Sequence, residues 1–400
     1  MRVLFANHTS QVSGAERSLL TLMEMLPPEY TPLLACPRGA LAETAGELGV
    51  PVQIIAGTDA SLRFHAVHTT RGLYDAGSTT RELVRLSREV RPDLVHANSI
   101  RTGLIAAAAA AQARVPTIAH VHDRLPQGPV PTFMLKRMVR AVDGLFACSS
   151  YVAEPLRALH PARPVDVVYN PVDVGRFSPS TISRETARVR LGLGDATAVL
   201  VVVAQIIPWK AQDDAVRILA ALKRERPDVC LLLVGSPKFT SRAARYDSTA
   251  FASRLDRLIS SLGVQREVRI LGERHDVPEV LRAADIALVP SWAEPFGMCV
   301  IEAMAMELPV LATSEGGPKE VITDGRDGLL LPPREPSTWA AAASRLFQEP
   351  GLRASIGRAA RRRVIDEMSS ASYLERVLAG YDASLRHTRR RSRGLRPAHA

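Results

Sequence analysis

Short apolar runs alternate along this chain with stretches whose apolar residues recur at helical spacing. In the first half the runs are Val3–Asn7, Pro32–Cys36, Val52–Ile55, Asp93–Ala97, Thr117–Val121 and Leu145–Cys148. Between them, Ala15–Leu26, Thr79–Val90 and Ser99–Ala113 carry the helical pattern. Strands that are apolar on both faces belong in parallel sheets covered by helices, so the pattern predicts α/β architecture. The rhythm breaks at Tyr169-Asn170-Pro171-Val172-Asp173, where Pro179 and a Ser/Thr stretch follow. It restarts at Val199–Ala204 and continues through Val229–Val234, Val268–Leu271, Ile286–Val289 and Val310–Thr313. Two parallel-sheet α/β domains are therefore expected, 1–172 and 193–370, joined by a linker over 173–192 and facing a central cleft. Open parallel sheets bind ligands outside the C-terminal ends of their strands. Thr58–Gly77, which holds His65, His68 and Arg71, reads as a long mobile loop.

Composition narrows the function more than the fold. At 400 residues the chain exceeds one ordinary core, in keeping with two domains. The longest apolar run, Leu104 to Ala111, is too short to span a bilayer. No charged n-region with a small-residue cleavage site precedes Val3, so no signal peptide is expected. Cys36, Cys148, Cys230 and Cys299 are scattered without a Cys-x-x-Cys pair, which fits a reducing cytoplasm rather than a disulfide framework or structural zinc. The net charge is +10, and only five of the basic residues are lysines (136, 210, 223, 238 and 319). Such a balance reflects codon usage or attraction to polyanions: nucleotide phosphates, acidic lipids or nucleic acid. Nucleic acid is set aside, because aromatics are 5% and no nucleic-acid-binding signature appears. Residues 386–400, with much of the excess charge, read as a basic disordered tail.

The richest chemistry lies in Glu294-Pro-Phe-Gly-Met-Cys-Val-Ile-Glu302. Glu294 falls between the strand Ile286–Val289 and a helix beginning at Gly297, and Glu302 falls inside that helix. The helical rise sets the carboxylates on the order of 12 Å apart, a span suited to an extended sugar–diphosphate–ribose. Carboxylates accept hydrogen bonds from vicinal hydroxyl pairs, while amides around Phe296, Gly297 and Met298 would face an anion. A single Glu at a helix start would be read as a cap. In the first domain, alternation puts His120 and His122 on one strand face near its C-terminal end, and Asp123 opens the following loop. Two histidines with an aspartate suggest chemistry, yet no third ligand at sensible spacing makes a metal site.

Glu-Pro-Phe-Gly-x4-Glu-Ala-Met-Ala resembles the E-x7-E signature of the retaining glycosyltransferases of family 4, which share the two-domain GT-B fold. The resemblance covers nearly the whole chain. Leu271-Gly272-Glu273-Arg274 looks like the family's base-binding loop, Gly316-Gly317-Pro318-Lys319-Glu320 its C-domain ending, and Asn170-Pro171-Val172-Asp173 its interdomain motif. It implies two Rossmann-like domains, with a terminal helix over 371–385 returning to the first. It further implies metal-independent transfer from a UDP-sugar or GDP-sugar without a cofactor, by front-face departure and attack. Lys210 matches the family lysine on the diphosphate, while Gln205 and Ala204 replace the usual Arg and Gly. The resemblance places Gly14, Gln205, Lys210, Arg274, Glu294, Phe296, Gly297, Met298 and Glu302 at the donor, with Glu294 on the sugar and Glu302 on the ribose. His120, with Glu294 and Lys210, is the expected catalytic set; Glu16, His122 and Asp123 are expected at the acceptor. The family's first glycine before Ala15-Glu16 is Ser13 here, and its helix-ending glycine is Glu307.

Acceptor identity is open among a glycan, a lipid-linked glycan and a small molecule. Phe133–Arg140 is basic and amphipathic, which suits a half-buried helix or a peripheral membrane contact. The rival functions are a nucleotide-sugar 2-epimerase, whose family lacks this E-x7-E helix with its lysine, and a non-catalytic bilobed sugar-binding protein, which would need an export signal. A dehydrogenase is disfavoured because neither domain's first strand is followed by Gly-x-Gly-x-x-Gly.

Overall fold

The computed structural model describes residues 1–57, 66–124, 128–238 and 247–394. Its strands are all parallel, and it divides into two compact units, Met1–Pro171 with Ser370–Ala400, and Val172–Ser369. In the first unit the strands are β1 Arg2–Ala6, β2 Thr31–Cys36, β3 Val52–Ile54, β4 Leu94–Ala97, β5 Thr117–Val121, β6 Gly144–Ala147 and β7 Asp166–Val167. They lie in the order β3-β2-β1-β4-β5-β6-β7. The second unit holds β8 Ala198–Val203, β9 Val229–Val234, β10 Val268–Gly272, β11 Ile286–Val289, β12 Val310–Thr313 and β13 Leu329–Leu331. Their order is β10-β9-β8-β11-β12-β13.

Each sheet is thus a Rossmann-like doubly wound sheet whose direction of winding reverses once, between β1 and β4 and between β8 and β11. A reversal of this kind leaves a crevice at the strands' C-terminal ends, because the flanking connections depart to opposite faces. The loops leaving β1 and β4, and those leaving β8 and β11, therefore supply the first candidates for ligand contacts. The strands are held there by apolar burial on both sides: Val3, Phe5, Leu34, Ile118 and Phe146 in one core, Leu200, Val202, Leu231, Leu233 and Leu288 in the other.

Three expectations about the connections are corrected. The supposed linker 173–192 belongs to the second unit and contains the helix Arg184–Arg190. Arg188 in that helix is 3% exposed and donates to the Ala283 carbonyl at 3.0 Å, which fastens the segment to its own domain. Within the supposed loop, residues from Ala66 onward are the start of a helix, Ala66–Val90; His65 and the rest of 58–65 lie outside the described residues. The last helix runs over Ser370–Gly394, well into the tail expected to be disordered, and belongs to the first unit. Its Tyr373, Val377 and Tyr381 are buried in the core with Phe146 and Ile118, so apolar packing anchors a helix that the arginines then continue.

Candidate functional site

Beyond β8 the chain enters a short 3-10 turn, Pro208–Lys210, and a helix, Gln212–Leu222. Ala211 joins the two in a left-handed conformation (φ 53), and the Gln212 side chain donates to the Gln205 carbonyl at 2.7 Å. This pins the loop and aims Lys210 at the loop leaving β11. There Lys210 Nζ meets both oxygens of Glu294, at 2.9 Å and 2.7 Å. Ser291 Oγ donates to Glu294 Oε2 at 2.9 Å, and the ammonium also sits 4.2 Å from the Trp209 ring centre. The side chains of Lys210 and Glu294 are 14% and 7% exposed. Removal of either partner would leave the other's charge buried, and such losses cost about 3–5 kcal/mol.

The backbone of Glu294 is held as firmly as its side chain. Its N–H donates to the Glu315 carbonyl at 3.2 Å, and its carbonyl accepts from Gly317 N–H at 2.7 Å. A Cβ on Gly316 would stand 2.1 Å from the Glu294 carbonyl oxygen, and one on Gly317 would stand 2.5 Å from Phe296 Cα. Only glycine admits so close an approach, so the pair after β12 sets the height of the Glu294 loop. Gly297 (φ 104) then opens the helix Met298–Ala305, whose first turn no side chain caps. The partial positive end of that helix lies next to the Lys210–Glu294 pair.

Glu302 is 4% exposed inside the helix. Between the two glutamates stands Cys299, whose thiol is pushed up to about 12, chiefly by burial. Lys210 opposes that rise while Glu294 and Glu302 add to it, which brings all three charges to one place. Gln205 is half-buried and Met298 partly exposed beside them. Arg274, expected at the base, pairs its guanidinium with Asp276, with Nε donating to Oδ1 at 2.8 Å. The short Arg-x-Asp spacing made that pairing available without any ligand.

In the first unit the C-terminal ends of β1, β4 and β5 carry Asn7, Asn98 and His122. His122 Nε2 lies 3.1 Å from Asn98 Oδ1, and Asn98 Nδ2 donates to Asn7 Oδ1 at 3.4 Å and to the Ala15 carbonyl at 3.3 Å. Neither asparagine was singled out from the sequence. Their signal was a polar residue ending each of two neighbouring parallel strands at the winding reversal. His122 is 8% exposed, Asp123 is exposed, and His120 is fully enclosed at 0%. The rings of His120 and His122 are 4.1 Å apart, as alternation required. Among the described residues neither ring nitrogen of His120 has a hydrogen-bond partner, and the ring packs against His96 and Phe146. The expected catalytic contact through His120 would require the residues that enclose it to move. Burial holds all three histidines neutral, pushing His96 down to about 3 and His122 down to about 4, with Asn170 opposing in the latter case; His120 is driven well below its ordinary value, first by burial and then by its neighbouring histidines.

Gly14 and Glu16 lie together at a helix start. Gly14 begins the helix Gly14–Met25, and Glu16 reaches back to the Ser13 N–H at 3.1 Å, closing a capping box. With Asn7 Nδ2 donating to it at 3.2 Å and 3% of its surface exposed, Glu16 is occupied as a cap. Its carboxyl is raised above the ordinary range by burial, against the bonds from Ser13 and Asn7. Among the described residues, no group of three His, Cys, Asp or Glu side chains could hold a metal ion.

These features match known proteins over nearly the full length. Residues 183–363 match the family described as glycosyl transferases group 1, and residues 12–176 the family described as glycosyltransferase family 4. The D-inositol 3-phosphate glycosyltransferase of Mycolicibacterium vanbaalenii is 30% identical over 367 residues, covering 86% of this chain and 74% of that protein. The chain is a family 4 glycosyltransferase. The protein of the same description from Actinosynnema mirum is 35% identical over 252 residues, or 61% of this chain and 58% of that one. Among solved structures, HepE of Anabaena, described in complexes with UDP and with UDP-glucose, covers 96% of this chain at 23% identity, with TM-scores of 0.82 and 0.81. A glycosyltransferase from Rickettsia africae has a TM-score of 0.81 at 20% identity, covering 96% of this chain and 98% of that one. These likenesses give this family 4 member its GT-B fold.

Proposed function

We propose that this glycosyltransferase moves a hexose from a UDP-sugar to an acceptor hydroxyl with retention at the anomeric carbon, and without a metal ion. The observation that carries the proposal is Lys210 poised on Glu294 at a helix N-terminus beside the winding reversal. A lysine ammonium has three donors, so it can keep Glu294 and also meet a diphosphate oxygen. Glu294 then accepts from hydroxyls of the transferred sugar, and Glu302 from the ribose. As the bond from the anomeric carbon to the phosphate oxygen breaks, its electron pair goes to the diphosphate. Lys210 and the amides of the helix Met298–Ala305 stabilise that charge. The acceptor oxygen attacks on the same face and passes its proton to the diphosphate. In the first unit we assign the substrate-facing histidine to His122 rather than His120, with Asn98 fixing its ring. UDP is preferred to GDP because HepE is described with UDP and UDP-glucose. The four cysteines form no disulfide, which supports action in the cytoplasm.

The test combines binding and turnover. A thermal-shift series of nucleoside diphosphates is expected to show UDP raising the melting temperature most, since only true ligands stabilise appreciably. Transfer is expected to persist in excess chelator and to vanish in Glu294→Gln while UDP still binds. Conversion of donor to an epimer in the absence of any acceptor would overturn the assignment.

A further inference from the structure

The helix Pro129–Ala141 is the next described element after β5, a parallel strand whose C-terminal end carries His122, so it starts at the ligand edge of the first unit. Its inner side is fixed by Leu135, Met138 and Val139. Opposite them, Val130, Phe133, Arg137 and Arg140 form one outward stripe, with Lys136 alongside. Phe133 is 64% exposed and Val130 39%, which places two large apolar side chains in water at the N-terminal end. Lys136, Arg137 and Arg140 occupy the C-terminal end, and the helix contains no acidic residue. Among the described residues no carboxylate pairs with these three cations. A second basic surface, Arg81, Arg85 and Arg88 on the helix Ala66–Val90, is different in kind. It is interrupted by Glu82 and Glu89, and Arg85 is paired to Glu89 at 3.6 Å.

We propose that the outward face of Pro129–Ala141 docks on an anionic lipid bilayer, with Phe133 and Val130 entering the interface and the three cations meeting lipid phosphates. Aromatic and aliphatic side chains next to a purely basic patch are what such a surface selects, because burial of the ring adds to electrostatic attraction. Phe133 and Val130 thus add apolar surface to a patch whose cations have no acidic neighbour on their own helix. The inference deepens the reading of the protein as a glycosyltransferase: docking would hold the ligand edge of the first unit at a membrane, where a lipid-linked acceptor presents its hydroxyl.

Vesicle sedimentation of the full chain tests this without any nucleotide. The protein is expected to sediment with phosphatidylcholine vesicles containing phosphatidylglycerol, far less with phosphatidylcholine alone, and to be released by high salt. Each basic residue near an anionic surface is worth roughly fivefold in binding, so Lys136→Glu, Arg137→Glu and Arg140→Glu together should weaken it at least a hundredfold. Phe133→Ser alone should weaken binding to anionic vesicles without changing the salt dependence. Arg81→Glu with Arg88→Glu serves as the control and should retain most of the binding. All these side chains are exposed, and an unchanged melting temperature with an unchanged UDP shift would show that fold and donor site survive. No sedimentation with anionic vesicles at low salt, or equal loss in the control, would overturn the proposal. Loss of the UDP shift in the parent protein would instead sink the donor-site reading and leave the vesicle result standing.

Discussion

Gly316 offers a way to move Glu294 without touching any side chain of the site. Both Gly316 and Gly325 have left-handed backbones, with φ of 93° and 76°. Alanine at either position should cost about 1–2 kcal/mol of stability from backbone strain alone. They differ in what a Cβ would meet. At Gly325 nothing lies within 4 Å, whereas at Gly316 the Glu294 carbonyl oxygen is 2.1 Å away, with its carbonyl carbon and amide nitrogen at 3.0 Å. Relief of that clash requires the Glu294 backbone to retreat by about 1 Å, since real contacts are essentially never shorter than 3.0 Å. A misplacement of that size costs on the order of a hundredfold in rate, or about 2.7 kcal/mol of activation free energy. Gly316→Ala should therefore melt lower than Gly325→Ala, and only Gly316→Ala should lose roughly two decades of kcat/KM. Steady-state transfer assays with thermal melts on both variants decide it. Equal kcat/KM for the two would refute the claim that the glycine pair sets the position of Glu294.

Three further outcomes follow from the geometry. His122→Ala should lower kcat at least a hundredfold, whereas His120→Leu should retain transfer within a few-fold and melt no lower, because it removes two unpartnered buried nitrogens; the reverse pattern in steady-state assays would return the role to His120. Stability should fall as pH drops below about 6.5, since unfolded histidines bind protons that His96 (about 3), His122 (about 4) and His120 refuse when folded. Each contributes up to about 1.4 kcal/mol per pH unit in that window, so urea midpoints should decline between pH 6.5 and about 4 and be insensitive to these groups above it; His120→Leu should flatten the slope. Glu307, left-handed at φ 57, should gain roughly 0.5–1 kcal/mol on replacement by glycine, read as a higher urea midpoint at unchanged activity.

How far the sequence carried depended on whether an interaction was local. The strand runs from Val3 to Thr313 were readable because burial on both faces demands unbroken apolar residues. β7 was missed because two residues make no run, while β13, though as long as β3, was not read as a strand. The first turns of Ala66–Val90 were hidden by Gly72, Gly77 and a mostly polar sequence, and the arginines past Leu385 carry no apolar period. At the site, the E-x7-E spacing announced Glu294 and Glu302 and matched Lys210 to them. The glycines that clamp the loop act from the next strand over, which spacing alone cannot reveal. Alternation put His120 and His122 on one face, but their order of burial depends on the terminal helix: Tyr373 and Tyr381 close over His96 and His120 from more than two hundred residues away.

That closure bears on how the chain is made. The first unit is encoded in two pieces, and the second piece leaves the ribosome only after the whole of the second unit. Its core lacks Tyr373, Val377 and Tyr381 until then, although sequential domain folding during synthesis is the usual course. A nascent chain halted anywhere in the second unit would present β6 and the His96 pocket uncovered, while the second unit, encoded without interruption over Val172–Ser369, is complete as soon as it emerges. The later-encoded domain is thus the earlier to finish, and the first waits on the final helix.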